Sequence, residues 1–282
     1  ISYWILAIFS VGLQSQDLPQ IANEILILDS DTKWEFTTEE IDPKNFVNNN
    51  LENINWQKYK VPSNLNSEIV QTKNKIWIRR KFVFPENLSN QQLAIRLGII
   101  SDRDKTYFNE VLIGSTGIFG SPIPQSYDKL RVYEIPQYLV QKENTILIEV
   151  ERFFPEEIGI NQDTTAIGPT LQMQRDKYKE DLFKLVLLSI YATVGFYFLF
   201  LFLRRRQEQE NLLFALFAFC VVMYQFMRTQ IKYELGVDFI LMKKVEYFVF
   251  TALIPLFTNF IRTYFKFKIS KFLTGLNFLS LL

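Results

Sequence analysis

The sequence contains no histidine and only one cysteine among its 282 residues. Without imidazole there is no histidine general base, no histidine metal ligand and no Ser–His or Cys–His nucleophile pair. The single Cys220 lies in an apolar run, so the residues before it carry no disulfide and depend on an ordinary core. The net charge of +1 gives no overall attraction to nucleic acid. We therefore expect no catalytic residue, metal site, cofactor or nucleic-acid partner in this chain.

A long apolar run divides the chain. Residues 182–203 read LFKLVLLSIYATVGFYFLFLFL and are followed at once by the basic block Arg204–Arg206. A helix of that length extends roughly 33 Å, enough for a hydrocarbon core of roughly 30 Å. The arginine block is typical of a cytoplasmic edge. These features predict a water-exposed part before residue 180 and a membrane part after it.

The membrane part is predicted to continue beyond the arginine block. We expect further spans at 211–228 and 245–264 and the start of a fourth at 272–282, because these segments are apolar and rich in phenylalanine. The linker 175–181 (RDKYKED) has no Gly or Pro, and it is predicted to continue the first helix outward.

The first residues, ISYWILAIFSVGLQSQD, are apolar and then turn small and polar. This pattern predicts that residues 1–16 are the later part of a signal peptide, with cleavage near Ser15 or Gln16. The same run also fits an N-terminal membrane anchor. The chain starts without Met and stops within an apolar run, so we expect further sequence at both ends. A signal peptide would place the part that follows it outside the cytoplasm.

Residues 17–174 show short alternating segments separated by Pro, Asn, Asp and Gly. In the segment 76–84 the even-numbered residues are apolar except Arg80, whereas Trp77 and Arg79 share the opposite face. Asn109-Glu110 predicts a hairpin turn, because Asn tolerates left-handed backbone angles. Such spacing, with almost no helical periodicity, predicts an all-β sandwich. The expected strands are Glu24–Leu28, Lys33–Phe36, Ile76–Phe84, Leu93–Ile100, Thr106–Ile113, Lys129–Ile135, Thr145–Arg152 and Pro169–Gln174.

Within this part, four motifs occur in an order that resembles the galactose-binding-like jelly-rolls of family 2 glycoside hydrolases. They are Trp56 with Val61-Pro62, the strand Trp77–Phe82, the stretch from Gly98 through Asp102 and Tyr107-Phe108-Asn109 to Gly114, and the closing pair Arg131–Pro136 and Asn144–Val150. The turn departs from the family pattern, because it reads Asn109-Glu110 where the family usually has Asn-Gly. The resemblance implies a jelly-roll sandwich that binds carbohydrate.

An outer jelly-roll that leads directly into a multi-helix region, with a very short basic first loop, resembles bacterial seven-transmembrane receptors with diverse intracellular signalling modules. The resemblance implies a multi-pass protein of the bacterial inner membrane with a periplasmic N-terminal domain. It also implies a cytoplasmic output module in the same chain, such as a phosphatase, cyclase or kinase. The sequence leaves a homodimer open.

Five residues are the predicted ligand contacts of the sandwich: Trp77, Arg79, Arg103, Tyr107 and Arg131. Aromatic faces pack on the C–H surfaces of sugars, and arginines hold hydroxyl or carboxylate groups. The alternative is that Trp77 and Tyr107 are core residues.

Two classes of function follow. The first is a sensor whose sandwich binds a carbohydrate or another small molecule and whose helices relay the change to an output module. The second is a membrane enzyme or transporter with an accessory sugar-binding module. The absence of histidine disfavours an enzyme, and the absence of paired Gly/Pro-interrupted spans disfavours a transporter.

Overall fold

The computed structural model describes residues 25–29, 33–42, 54–65, 73–84 and 91–266. The predicted signal segment 1–16 and the predicted fourth span 272–282 lie outside these residues. The described strands are β1 Leu26–Ile27, β2 Trp34–Thr37, β3 Gln57–Tyr59, β4 Lys75–Val83, β5 Leu93–Ser101, β6 Arg103–Phe108, β7 Val111–Thr116, β8 Leu130–Ile135, β9 Glu143–Glu151, β10 Gly159–Gln162 and β11 Ala166–Pro169.

The strands form two antiparallel sheets. One sheet has the order β3-β2-β4-β9-β6-β7. In the other sheet, β5 pairs with β8 along one edge. Along its other edge β5 pairs with β10 and β11, which lie one after the other, and β1 pairs with β11. The short strands β3 and β10 were missing from the sequence prediction. Two sheets followed by helices confirm the predicted class of an all-β sandwich joined to a helical part.

The main core lies between the sheets, and the strand alternation explains its composition. Ile76 and Ile78 of β4 are fully buried in it with residues of β5 and β9. Trp77 points to the opposite face, where it packs with Ile41 and Leu147. The predicted two faces of this segment are therefore confirmed, and Trp77 is buried on the outer face because Ile41 and Leu147 pack against it there.

The hairpin between β6 and β7 is confirmed at its predicted place. Asn109 and Glu110 both have positive φ, 43° and 76°. Such angles match the right-handed twist of the flanking strands, so Glu110 is accommodated where Gly is usual. The Asn109 side chain fixes the turn, because its Nδ2 donates to the carbonyl of Leu139 at 2.7 Å and its Oδ1 accepts from the amide of Thr145 at 2.8 Å.

Up to residue 266, where the described part of the chain ends, three α-helices follow the sandwich: α1 Thr170–Arg204, α2 Gln209–Phe226 and α3 Phe239–Phe265. The predicted strand Pro169–Gln174 is wrong, because β11 ends at Pro169 and α1 begins at the next residue. Leu171 and Met173 alternate with glutamines, a pattern that is typical of a strand. Only Met173 is buried, and it packs against Ala94 and Ala166. The linker 175–181 is helical, as predicted, so α1 runs without interruption from the sandwich into the apolar run.

Among the described residues, α1 and α2 are long and apolar enough to cross a membrane, judged by length and composition. They contain the predicted spans 182–203 and most of 211–228. Helix α3 contains the predicted span 245–264, but charged residues near both of its ends, such as Lys244 and Arg262, shorten its apolar part. The third span therefore stays a prediction.

Candidate functional site at the junction of sandwich and helices

Three of the predicted ligand contacts lie together on the outer face of the six-stranded sheet. Trp77 and Tyr107 approach with ring centroids 6.3 Å apart. The guanidinium of Arg79 stacks on the ring of Trp56 at 3.9 Å and pairs with Glu35 at 2.7 Å. Trp77 is 3 % exposed, and burial raises the pKa of the Tyr107 hydroxyl, with a further contribution from Glu149. On this face Arg79 is 7 % exposed and Trp77 is buried, whereas Trp56 and Tyr107 are half-buried.

The other two predicted contacts, Arg103 and Arg131, are elsewhere and are buried. Arg131 and Asp104 form an ion pair of 2.9 Å in which both side chains are fully buried. Arg103 pairs with Glu151 at 2.8 Å. The hydroxyl of Tyr133 donates to Asp104 at 2.7 Å, and burial together with the Asp104 charge raises the pKa of this hydroxyl. Because a buried charge is unfavourable unless it is paired and hydrogen-bonded, these groups form an internal charged network.

This network holds one segment, residues 117–129, which we call the Asp128 loop. The Nη2 of Arg103 donates to the carbonyl oxygens of Ser121 and Ile123 at 2.7 and 2.8 Å. The Nη1 of Arg131 donates to the carbonyls of Ser126, at 2.8 Å, and Lys129. Further along, the carboxylate of Asp102 accepts the backbone N–H groups of Gln125 and Ser126. A loop with so many buried bonds has little freedom to move independently of the sheet.

At its far end the loop reaches the helices through Asp128. Its Oδ2 accepts from the Nζ of Lys232 at 2.7 Å and from the Nζ of Lys243 at 2.8 Å. The hydroxyl of Tyr233 donates to its Oδ1. Lys232 and Tyr233 belong to the connection between α2 and α3, and Lys243 to the first turns of α3. One carboxylate of the sandwich thus binds three side chains of the helical part.

The electrostatics of this contact favour the charged forms of Asp128 and Lys243. Burial on its own would raise the pKa of Asp128, but the charge of Lys232 and the hydrogen bonds from Lys232, Lys243 and Tyr233 hold it below its ordinary value. Burial likewise opposes the charged form of Lys243, but its bonds to Asp128 and Glu246 raise its pKa. Burial lowers the pKa of Lys232, although the charge of Asp128 opposes this shift. The junction therefore favours an ionised Asp128 beside the ammonium group of Lys243, whereas burial disfavours the charge of Lys232.

Two further contacts strengthen the junction. The side chain of Gln230 spans it, since its Oε1 accepts from the amide of Leu130 at 2.9 Å and its Nε2 donates to the carbonyl of Asp128 at 2.9 Å. The Oδ2 of Asp181 on α1 accepts the backbone N–H groups of Gln230 and Ile231 at 2.6 and 3.0 Å. The α2–α3 connection is therefore fixed to the sandwich and to α1 at once.

A cavity of about 590 Å³ opens between the sandwich and the ends of the helices nearest to it. Most of the side chains that line it are charged. The basic ones are Arg96, Lys177, Lys184, Arg228, Lys232 and Lys243, and the acidic ones are Asp128, Asp163, Asp176, Asp181 and Glu246.

Sequence reasoning did not single out Asp128, because a lone Asp in a turn is the commonest kind of solvated residue. The available signal was the polar loop 230–244, with three lysines inside an otherwise apolar region. A lysine beside a membrane segment needs an acidic partner if it is buried, and Lys232 is 2 % exposed.

The helical part has a recognisable family. Residues 180–282 match the family described as 7TM diverse intracellular signalling. The match confirms the resemblance predicted for the helical part, and it indicates a membrane receptor with a signalling role.

Solved structures similar to this chain include family 2 glycosidases. The β-glucuronidase of Bacteroides uniformis is 16% identical with a TM-score of 0.41, over 52% of this chain and 18% of that one. A Bifidobacterium dentium β-glucuronidase complexed with coumarin-3-O-glucuronide is 14% identical with a TM-score of 0.42, over 52% of this chain and 30% of that one. This chain therefore spans less than a third of either enzyme. No curated protein matches the chain.

Proposed function

We propose that this protein is a receptor of the bacterial inner membrane whose sandwich senses a ligand, of carbohydrate class, outside the cytoplasm. The helices pass the change to a cytoplasmic output module in the same chain. The observation that carries this proposal is the junction at Asp128, where a loop held by the core of the sandwich binds the connection between two helices. An accessory domain with no part in signalling would not need such a contact.

Two routes connect the sandwich to the membrane part in this proposal. The first is α1, whose 35 residues begin directly after the last strand. The second is the Asp128 loop, which contacts the α2–α3 connection. A ligand can only bias states that it binds with different affinity, so it must favour one arrangement of the sandwich against the helices. Rigid connections convert that preference into a displacement of α1 relative to α2 and α3.

The arginine block and the predicted signal peptide together support the proposed orientation, although the α2–α3 connection also carries basic residues. The block Arg204–Arg206 lies at the end of α1 away from the sandwich, and such dense basic blocks stay in the cytoplasm. The predicted signal peptide agrees with a periplasmic sandwich. The two ends of α1 would then lie on opposite sides of the bilayer.

The decisive experiment separates the two routes in the full-length protein. Inserting Gly-Ser-Gly-Ser after Tyr178 interrupts α1 with flexible residues while the Asp128 loop can stay bound. Replacing Asp128→Asn weakens the loop contact while α1 stays intact. We expect the insertion to leave ligand binding unchanged and to abolish the output response.

The measurement is the output activity with and without ligand, beside direct binding to the sandwich. Glu35→Gln is the matched control for Asp128→Asn, because Glu35 also pairs with a basic side chain but lies on the outer face of the sheet. A normal response of the insertion variant would exclude α1 as the route and assign the relay to the Asp128 loop. Normal responses of the insertion variant, the Asp128→Asn variant and the combination of both would refute both relay routes. A wild-type output that does not change with ligand would refute the receptor proposal.

A further inference from the structure

The junction cavity contains more cationic hydrogen-bond donors than its carboxylates use. Lys232 and Lys243 share the Oδ2 of Asp128, and each has a second acceptor, the carbonyl of Met227 for Lys232 and the carboxylate of Glu246 for Lys243. Arg228, two residues beyond the end of α2, has five N–H donors, of which Nη1 donates to the hydroxyl of Tyr224 at 2.9 Å. In the part of the chain that the structure describes, no carboxylate lies within ion-pair distance of Arg228. The guanidinium of Arg228 therefore retains several donors at the cavity.

Most acidic groups of the lining pair with cations of the same lining. Glu246 pairs with Lys243 at 2.8 Å, Asp181 lies 3.7 Å from Lys184, and Asp163 pairs with Arg96. Arg228 is the lining cation that has no ion pair among the described residues. The six basic and five acidic side chains therefore leave a small excess of positive charge at Arg228, which favours an anion.

We propose that this cavity binds a phosphate-type oxyanion, with Arg228 and Lys232 as its principal ligands. A guanidinium matches two oxygens of a phosphate in a bidentate manner, and an ammonium adds a point charge. The volume of about 590 Å³ also accommodates the group to which a phosphate is esterified. Since the cavity lies at the outer ends of the helices, both a dissolved phosphate compound and a phospholipid headgroup present this chemistry there.

Asp128 occupies the position of a competing anion in this arrangement. An oxyanion that takes the donors of Lys232 and Lys243 displaces the Asp128 carboxylate, and it thereby loosens the loop from the α2–α3 connection. The binding itself is independent of signalling. Its consequence for signalling rests on the proposed function, in which the same contact is part of the relay.

The test is isothermal titration calorimetry of the full-length protein in an uncharged maltoside detergent, first with inorganic phosphate and then with short-chain phosphatidylglycerol. We expect saturable binding that is about tenfold weaker in Arg228→Gln, and about tenfold tighter in Asp128→Asn because the competing carboxylate is gone. Arg175→Gln is the matched control, since Arg175 is an exposed residue of α1 that does not line the cavity. Its affinity should equal that of the wild type.

Each outcome decides a separate point. Binding of phosphate, of the lipid, or of both supports the site and identifies the source of the anion. The site is refuted if neither probe binds to the wild type or to Asp128→Asn, or if Arg228→Gln binds as tightly as Arg175→Gln. If Asp128→Asn does not fold, Lys243→Gln replaces it, and about tenfold weaker binding is then expected. Because no output is measured, failure here leaves the receptor proposal untouched.

Discussion

The buried ion pair between Arg131 and Asp104 allows a quantitative test of how the Asp128 loop is held. Arg131→Met removes the guanidinium and leaves the Asp104 carboxylate without its cation in a fully buried position. It also removes the donors to the carbonyls of Ser126 and Asp102, at 2.8 and 2.7 Å. Breaking a buried pair in this way typically costs about 3–5 kcal/mol, because a buried charge is left uncompensated.

This loss is large enough to measure in the full-length protein. For a domain of about 150 residues, each kcal/mol lowers Tm by roughly 2–4 °C, so Arg131→Met should lower the Tm of the sandwich by roughly 6–20 °C. The assay is thermal unfolding followed by tryptophan fluorescence in detergent. Trp34, Trp56 and Trp77 lie in the sandwich, Trp4 lies in the predicted signal segment, and the helices contain no tryptophan, so the change in signal on unfolding reports on the sandwich.

Two further variants separate a buried charge from a general loss of packing. Arg79→Met is the matched control: its partner Glu35 is 36 % exposed, so water solvates the carboxylate that remains, and a loss of about 1 kcal/mol is expected. Adding Asp104→Asn to Arg131→Met removes the orphaned charge and should recover part of the lost stability. The reasoning is refuted if Arg131→Met costs no more than Arg79→Met, or if the double variant is less stable than Arg131→Met alone.

Three other predictions follow from the same contacts. Trp77→Ala should destabilise the sandwich by roughly 3–5 kcal/mol, because Trp77 is buried. Arg79→Ala should weaken carbohydrate binding without unfolding the sandwich. Binding measurements and fluorescence melts of the two variants compare these effects. Because the pKa of Asp128 is held below its ordinary value, its ionised form stabilises the folded state above that ordinary value, and this contribution is lost as the pH falls below about 4. The difference in Tm between wild type and Asp128→Asn should therefore shrink in acid, and a difference that stays constant from pH 6 to pH 3 would contradict the assignment. A reporter that is active only outside the cytoplasm should give a signal when fused after Gln172 and none when fused after Gln207; the reverse pattern would overturn the orientation.

Local patterns were sufficient to predict much of the architecture. Alternation within the segment 76–84 predicts a strand with one face toward the main core, because successive side chains of a strand must point to opposite sides. Similarly, the apolar length of residues 182–203 predicts a membrane helix without any reference to neighbours. Asn109 predicted the hairpin turn because its backbone tolerates positive φ. Each of these features depends on residues that are close together in the chain.

The roles of the charged residues were decided by tertiary structure. Arg103 and Arg131 are of the residue type expected for ligand contacts. In the folded protein they pair instead with Glu151 and Asp104, which are 48 and 27 positions away in the chain, and both arginines are buried. The segment after Pro169 alternates like a strand, but it forms the start of α1 because Met173 packs on the sheet. Asp128 meets Lys232 and Lys243 more than 100 residues away. No local sequence pattern identifies the partner of a charged side chain, because distance and desolvation in the folded protein decide which charges pair.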